Sequence, residues 1–220
     1  MGSGAYGSMA MVNYPYPTDF LASLPAWPVQ VSCSKFENLT SNATEKEMLT
    51  AFHESWKFFY GESSSELKGA LDSSGWNYMA CNEMIMPIYQ NGISDMFWPD
   101  YFNSTQKMID CESSYSIVPQ FDWALDYFGG RKPTTDFRHV HNIIFSNGDL
   151  DPWGVGGVIA NLTNMEETNT IALHIADSAH HLDMRLPHKE DPASVTQARE
   201  IEMAYIQKFI DDVPKAAKME

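Results

Sequence analysis

A carboxylate and an imidazole, each delivered at the end of a short apolar run, are the residues of this sequence best placed to do chemistry. Ile143-Ile144-Phe145 stops at the turn signal Asn147-Gly148, and an acidic tip follows with Asp149, Asp151, Pro152 and Trp153. A second run, Ile171-Ala172-Leu173-His174-Ile175, ends in Ser178-Ala179-His180-His181-Leu182-Asp183. Asp151 and His180 occupy the two tips. A buried carboxylate that accepts the Nδ1–H of a histidine fixes the tautomer of the ring and stabilises the imidazolium formed when the ring takes a proton. Such a pair does general-base work on a nucleophile. By spacing alone, Asp149 is an alternative carboxylate and His181 an alternative base. His139 and His141 form an H-x-H pair that, with His180, His181 and an aspartate, offers a metal-ligand set. No H-x-x-x-H or H-E-x-x-H helical pair supports that set, so it is the weaker reading, and no cofactor is implied.

The elements that must position these groups lie beyond residue 136, where the pattern runs strand, loop, strand, loop, helix. Loops at strand ends hold functional groups firmly while leaving them open to substrate. Asp191-Pro192 is a helix start with proline at the first helical position. Val195, Ala198, Ile201, Tyr205, Phe209 and Val213 give that helix one apolar face, Pro214 ends it, and residues 215–220 are a polar tail. Arg131 to Asp136 (R-K-P-T-T-D) is the most linker-like stretch and divides the chain into 1–135 and 136–220. Upstream, residues 1–32 are rich in aromatics and prolines and read as an extended segment over an apolar surface. Thr44 to Tyr60 reads as a helix opened by a Thr44/Glu47 capping box, with a stripe of Met48, Phe52, Trp56, Phe59 and Tyr60, ended by Gly61. Residues 61–75 read as a loop around one short helical piece. Trp76 to Tyr89 is dense in methionines and rings, which suit a pocket wall and an ordinary core equally. Phe121 to Phe128 is a short amphipathic piece closed by Gly129-Gly130.

Charge and composition narrow the class. A net charge of −15 and a pI near 4.7 argue against nucleic acid and against an anionic membrane face. No apolar run has the length of a membrane span. A protein this acidic approaches neutrality as pH falls, which suits an acidic compartment. No signal peptide opens the chain, whereas sequons at Asn38, Asn42, Asn103 and Asn161 favour a glycoprotein of the secretory pathway. Cys33, Cys81 and Cys111 form no C-x-x-C, and an odd count points to an intermolecular bridge, a free thiol or a missing piece of chain. No serine sits in a G-x-S-x-G elbow; neither Gly2-Ser3-Gly4 nor Gly7-Ser8-Met9 fits. We therefore expect a fragment whose nucleophile lies upstream, or a chain that is no working enzyme by itself.

At these residues the sequence resembles the lysosomal Pro-X carboxypeptidase and dipeptidyl peptidase II family of serine exopeptidases. Asn142 to Trp153 (N-I-I-F-S-N-G-D-L-D-P-W) is similar to its aspartate motif, and Ala179 to Arg185 (A-H-H-L-D-M-R) to its histidine motif. Asp191 to Val195 with Ala198-Arg199 matches its closing helix. Tyr14 to Phe20, Leu24 to Pro28, Trp76 to Cys81 and Asp95 to Phe97 resemble its cap region. The resemblance implies an α/β fold: an α/β-hydrolase lobe covered by a mainly helical cap, here truncated, with residues 1–135 as cap and 136–220 as the C-terminal part of the lobe. The triad order of that fold is Ser, Asp, His, and this chain carries its last two members.

The resemblance further implies Asp151 as triad carboxylate and His180 as base. Met86 and Trp153 would line the pocket for the residue, usually proline, on the acyl side of the scissile bond. It implies a Cys81–Cys111 disulfide, and for Cys33 a partner before the chain begins. Small peptides with proline near the scissile bond would be substrates of a lysosomal or secreted enzyme, and the intact protein has room for a homodimer. The chain departs from the family where a disulfide near Phe58 to Glu66 has no cysteine and where residues 165–168 look inserted. The leading reading is a serine-type exopeptidase, either Pro-X carboxypeptidase or X-Pro dipeptidyl aminopeptidase, without its nucleophile segment. The alternative is a non-catalytic binding protein that keeps the cap pocket. Half a sheet exposes strand edges and apolar surface, so the isolated chain is expected to aggregate or to be partly ordered; a cooperative, monomeric melt would count against the fragment.

Overall fold

In the computed structural model of the chain the described residues are 2–60, 73–158 and 165–213. They form α1 (Gly2–Met11), α2 (Pro28–Cys33), α3 (Glu45–Tyr60), α4 (Ser73–Asn82), α5 (Ser104–Tyr115), α6 (Trp123–Phe128), α7 (Pro133–Asp136), β1 (Ile144–Gly148), α8 (Met165–Thr168), β2 (Ile171–Ile175) and α9 (Ala193–Asp211). Residues group into two compact units, one of Met1–Ala70 with Pro133–Glu220 and one of Leu71–Lys132. This grouping differs from a single division at residue 135, because the N-terminal segment packs on the half that carries the strands.

In the first unit the two apolar runs do form strands. β1 and β2 pair in parallel, with Ile144 opposite Ile171 and Gly148 opposite Ile175. Matched register brings both C-terminal tips to the same edge, so Asp151 and His180 leave the sheet side by side. α9 packs on β2 through its first turns, where Val195 and Ala198 are buried. Farther along α9 the expected apolar face thins out: Ile201, Tyr205 and Phe209 are half-buried and Val213 is exposed.

The extended segment expected for residues 1–32 is instead helical at both ends, as α1 and α2. α1 is built from glycine, serine, alanine and methionine around a single tyrosine, Tyr6, so it shows no apolar period and has low intrinsic propensity. Packing makes it a helix: Ala5 and Met9 are fully buried, as are Val12 and Tyr14 just beyond, and α1 lies against α2 and α3. Between the helices the prolines keep the chain extended, with an antiparallel bridge from Thr18 to Leu24.

α3 opens with the expected reciprocal cap. Glu47 Oε2 accepts from the Thr44 amide at 2.8 Å, and Thr44 Oγ1 accepts from the Glu47 amide at 3.3 Å. Its buried stripe is shifted, however, to Ala51, Ser55 and Phe59, leaving Met48 and Phe52 exposed. Ser55 faces inward because its hydroxyl hydrogen-bonds that of Tyr6 on α1. Gly61, as the expected stop, lies outside the described residues.

The second unit is a helical assembly of α4, α5 and α6, with Cys81 on α4 bonded to Cys111 on α5. α5 is N-capped by Asn103, whose Oδ1 accepts from the Gln106 amide at 3.0 Å. Ile93 and Trp98 are 90% exposed. With so little core, the covalent link matters: closing a loop with a sequence separation of 30 is worth about 3–4 kcal/mol in the chain-entropy account. Replacing Cys81 and Cys111 together by alanine should lower the unfolding free energy of this unit by about that amount, read from urea denaturation.

Candidate functional site

The site begins with a close approach of two loops. A Cβ on Gly148 would lie 2.1 Å from the carbonyl oxygen of Ser178, so only glycine lets the loop after β1 touch the loop after β2. Two hydrogen bonds sew the loops together: Asp149 N–H to Ile175 O and Leu150 N–H to Ser178 O, both 3.0 Å. Three residues on, the Asp151 carboxylate is held at both oxygens. Oδ1 accepts from the Trp153 amide at 2.9 Å, and Oδ2 lies 2.7 Å from His180 Nδ1. The His180 and Asp151 side chains are 15% and 11% exposed, so water competes little for this charge-assisted contact. Asp151 fixes Nδ1 as the protonated nitrogen, and Nε2 is left to exchange a proton with a substrate or nucleophile.

Asp149, the alternative carboxylate, turns away from His180 and pairs with His174 Nε2 at 2.7 Å on an exposed edge. His181, the alternative base, lies with its ring 3.6 Å from that of His180. Burial first, and then the neighbouring His180, hold it below the ordinary 6.5. His139 and His141 are exposed in the turn and loop before β1. Among the described residues no three His, Cys, Asp or Glu side chains are grouped to hold a metal. Trp153 is half-buried, its indole N–H donating to Met11 Sδ at 3.3 Å. Met86 lies half-buried in the second unit, after α4. Asn38, Asn42 and Asn103 are exposed, as is the free Cys33, whereas Asn161 lies outside the described residues. No helix among the described residues is long and apolar enough to cross a membrane.

The loop that bears His180 is braced from three sides by residues that motif spacing left without a role. From α9, Arg199 donates to Asp183 O (2.7 Å) and Leu182 O (2.8 Å), and its Nη1 meets Asp191 Oδ2 at 2.7 Å. From β1, Ser146 Oγ donates to Asp183 Oδ2 at 2.8 Å. From the N-terminal segment, Met11 O accepts the His180 amide at 3.0 Å, and the Tyr14 hydroxyl donates to His180 O at 2.7 Å. Arg199 follows the apolar Val195–Ala198 spacing and could have been noticed as a cation on a buried face; no local signal in the sequence marks Tyr14 or Ser146.

Glu202 on α9 sits beside Asp183 and Arg199. Burial first, and then the hydrogen bond and charge of Asp183, push its carboxyl from 4.5 up to about 7. A carboxyl whose folded pKa exceeds its unfolded one binds a proton preferentially in the folded state. Its stabilising share is full below the unfolded value and is lost as pH rises through the folded one. The melting temperature should therefore fall as pH climbs from about 5 through about 7, and Glu202→Gln, neutral at every pH, should flatten that fall; thermal melts across this range measure it.

Comparison with known proteins adds to this geometry. Residues 5–202 match the family model described as serine carboxypeptidase S28. The chain is 35% identical over 218 residues to the lysosomal Pro-X carboxypeptidase of Homo sapiens, covering 96% of this chain and 42% of that protein. It is 36% identical over 213 residues to the lysosomal Pro-X carboxypeptidase of Mus musculus, with 93% and 41% covered. It is 32% identical over 222 residues to the prolyl carboxy peptidase like protein 5 of Caenorhabditis elegans, with 93% and 43% covered. The chain thus spans about two fifths of the length of the curated relatives it matches. With a match over most of its length, the chain belongs to the serine carboxypeptidase S28 family.

Proposed function

We propose that this chain is the C-terminal part of an α/β-hydrolase serine exopeptidase that cleaves small peptides next to proline. The observation that carries the proposal is the 2.7 Å contact between His180 Nδ1 and Asp151 Oδ2 at the matched ends of two parallel strands. In the mechanism a serine hydroxyl, supplied from outside this sequence, attacks the carbonyl carbon of the scissile bond. His180 Nε2 takes the hydroxyl proton as the C–O bond forms and returns it to the departing amine as the C–N bond breaks. A water then attacks the acyl-enzyme by the same proton route. Asp151 keeps Nδ1 protonated and stabilises the imidazolium at each transfer.

The names of the mammalian relatives support a Pro-X carboxypeptidase over a dipeptidyl aminopeptidase, and they support a lysosomal location. Trp153 is assigned to the pocket for proline, a flat apolar ring that an indole face suits. The Trp153 indole is oriented for such a task by its N–H bond to Met11 Sδ. The helical second unit is assigned as part of the cap. Asn38, Asn42, Asn103 and Asn161 are assigned as glycan acceptors. The absence of a G-x-S-x-G elbow from the 220 residues supports a second reading, a binding protein that keeps the pocket without the chemistry.

Hydrolysis of an X-Pro-linked fluorogenic substrate by the 220-residue chain and by a version extended upstream separates the two. The proposal expects activity in the extended form alone. His180→Ala should abolish it, and Asp151→Asn should lower kcat by about 10,000-fold, as when a triad histidine is left in the wrong tautomer. Activity in the short chain would place the nucleophile within it, and silence in both forms would favour the binding protein.

A further inference from the structure

His180 sits in a loop that does not hold itself. Asp177 and His181, on either side, both adopt left-handed backbone at φ +56, which is uncommon for residues with a side chain. The turns of the loop, Leu182 N–H to Ala179 O and Met184 N–H to His181 O, run past His180 without engaging its own peptide groups. Those groups are instead taken by the N-terminal segment. Met11 O accepts the His180 N–H at 3.0 Å, and Tyr14 Oη–H donates to the His180 carbonyl at 2.7 Å. Met11 also reaches the aspartate loop, since its Sδ accepts the Trp153 indole N–H. Residues 11–14 therefore span both loops of the proposed catalytic pair.

Tyr14 is built for this contact. Its side chain is fully buried, and its backbone is fixed by Tyr14 N–H to Val12 O and Trp27 N–H to Tyr14 O. The Arg185 guanidinium lies 4.5 Å from the centre of its ring. Burial, the largest influence on the hydroxyl, raises it above its usual 10, so it stays a donor at every pH at which a histidine base works.

We propose that Tyr14 is a positioning residue for the base: its hydroxyl, acting on the His180 carbonyl while Met11 O takes the His180 N–H, fixes the imidazole at the Asp151 carboxylate. The inference rests on the reading of His180 as the general base. With both peptide groups anchored, side-chain torsions are the main freedom left to His180, and Asp151 removes it. Without the hydroxyl the carbonyl is left to turn, and Nδ1 loses its fixed distance to Oδ2.

The test is the imidazole N–H proton of His180, observed by NMR in the upstream-extended protein labelled with nitrogen-15 at histidine and leucine. A carboxylate-bound Nδ1–H gives a far-downfield line that exchanges slowly with water. Asp151→Asn should abolish this line, and Tyr14→Phe should leave it broadened, with exchange at least about tenfold faster, while the amide of Leu173 in β2 exchanges as before. If Asp151→Asn abolishes the line and Tyr14→Phe leaves its width and exchange unchanged, the role of Tyr14 is overturned and the pair stands. If Tyr14→Phe speeds Leu173 and His180 alike, Tyr14 serves the core and not the base, which also overturns it. If the line is absent from the wild type or indifferent to Asp151→Asn, the reading of the pair itself fails. Should Tyr14→Phe not fold, 3,5-difluorotyrosine at position 14 keeps the shape with a more acidic hydroxyl. The line should then broaden as that hydroxyl ionises, and a line that stays sharp rejects the proposal. In an active, upstream-extended form, Tyr14→Phe should lower kcat by roughly 10- to 100-fold with little change in KM, the signature of misplaced chemistry rather than weakened binding.

Discussion

The contact on which the rest of the site depends is the approach of Gly148 to Ser178. A two-stranded parallel sheet can bring two tips to one edge, but it does not bring the loops beyond them into contact. The missing side chain at Gly148 does that, since any Cβ would strike the Ser178 carbonyl. Once the loops touch, the hydrogen bonds of Asp149 and Leu150 fix their register, and Asp151 meets His180 at hydrogen-bonding distance with both side chains nearly out of water. Low exposure strengthens the pair electrostatically and makes an unpaired partner costly. The surrounding braces from Arg199, Ser146 and Tyr14 keep that cost from arising.

Polar groups packed under the histidine loop also give the site a chemical bias. Asp183 accepts from Ser146, lies beside Glu202, and has its backbone carbonyl held by Arg199. Burial and the neighbouring Asp183 push the Glu202 carboxyl up, which favours its protonated form in this space. An acidic surface acts in the same sense: a chain with net charge −15 sheds self-repulsion as pH falls. Interior and exterior thus both favour mildly acidic surroundings, by independent routes.

What was legible in the sequence was local. β1 and β2 announced themselves as apolar runs closed by turn residues, Thr44 and Glu47 as a reciprocal cap, and Asp191-Pro192 as a helix start. What escaped was decided by packing at a distance. α1 lacks any apolar period because glycine and alanine line it, and it is helical because the core accepts it as a helix. α3 turned its stripe so that Ser55 could meet Tyr6, a partner 49 residues away. The pairing of Asp151 rather than Asp149 with His180 could be suspected from spacing but not decided, since it turns on two residues of a loop. Arg199 was marked only as a cation on a buried face, and Tyr14 not at all, because each serves through the backbone of another segment.

The brace on His180 also imposes an order of events. Residues 11 and 14 are made before the histidine loop, and the peptide they hold lies 166 residues beyond Tyr14. Closing so long a span forfeits more chain entropy than any local contact, and links of this kind tend to form late in folding. While the chain is being synthesised, the Tyr14 hydroxyl and the Met11 carbonyl have no partner in the histidine loop, because that loop does not yet exist. The His180 ring can acquire its orientation only after these two distant segments have met, so its contact with Asp151 belongs with the late events of folding.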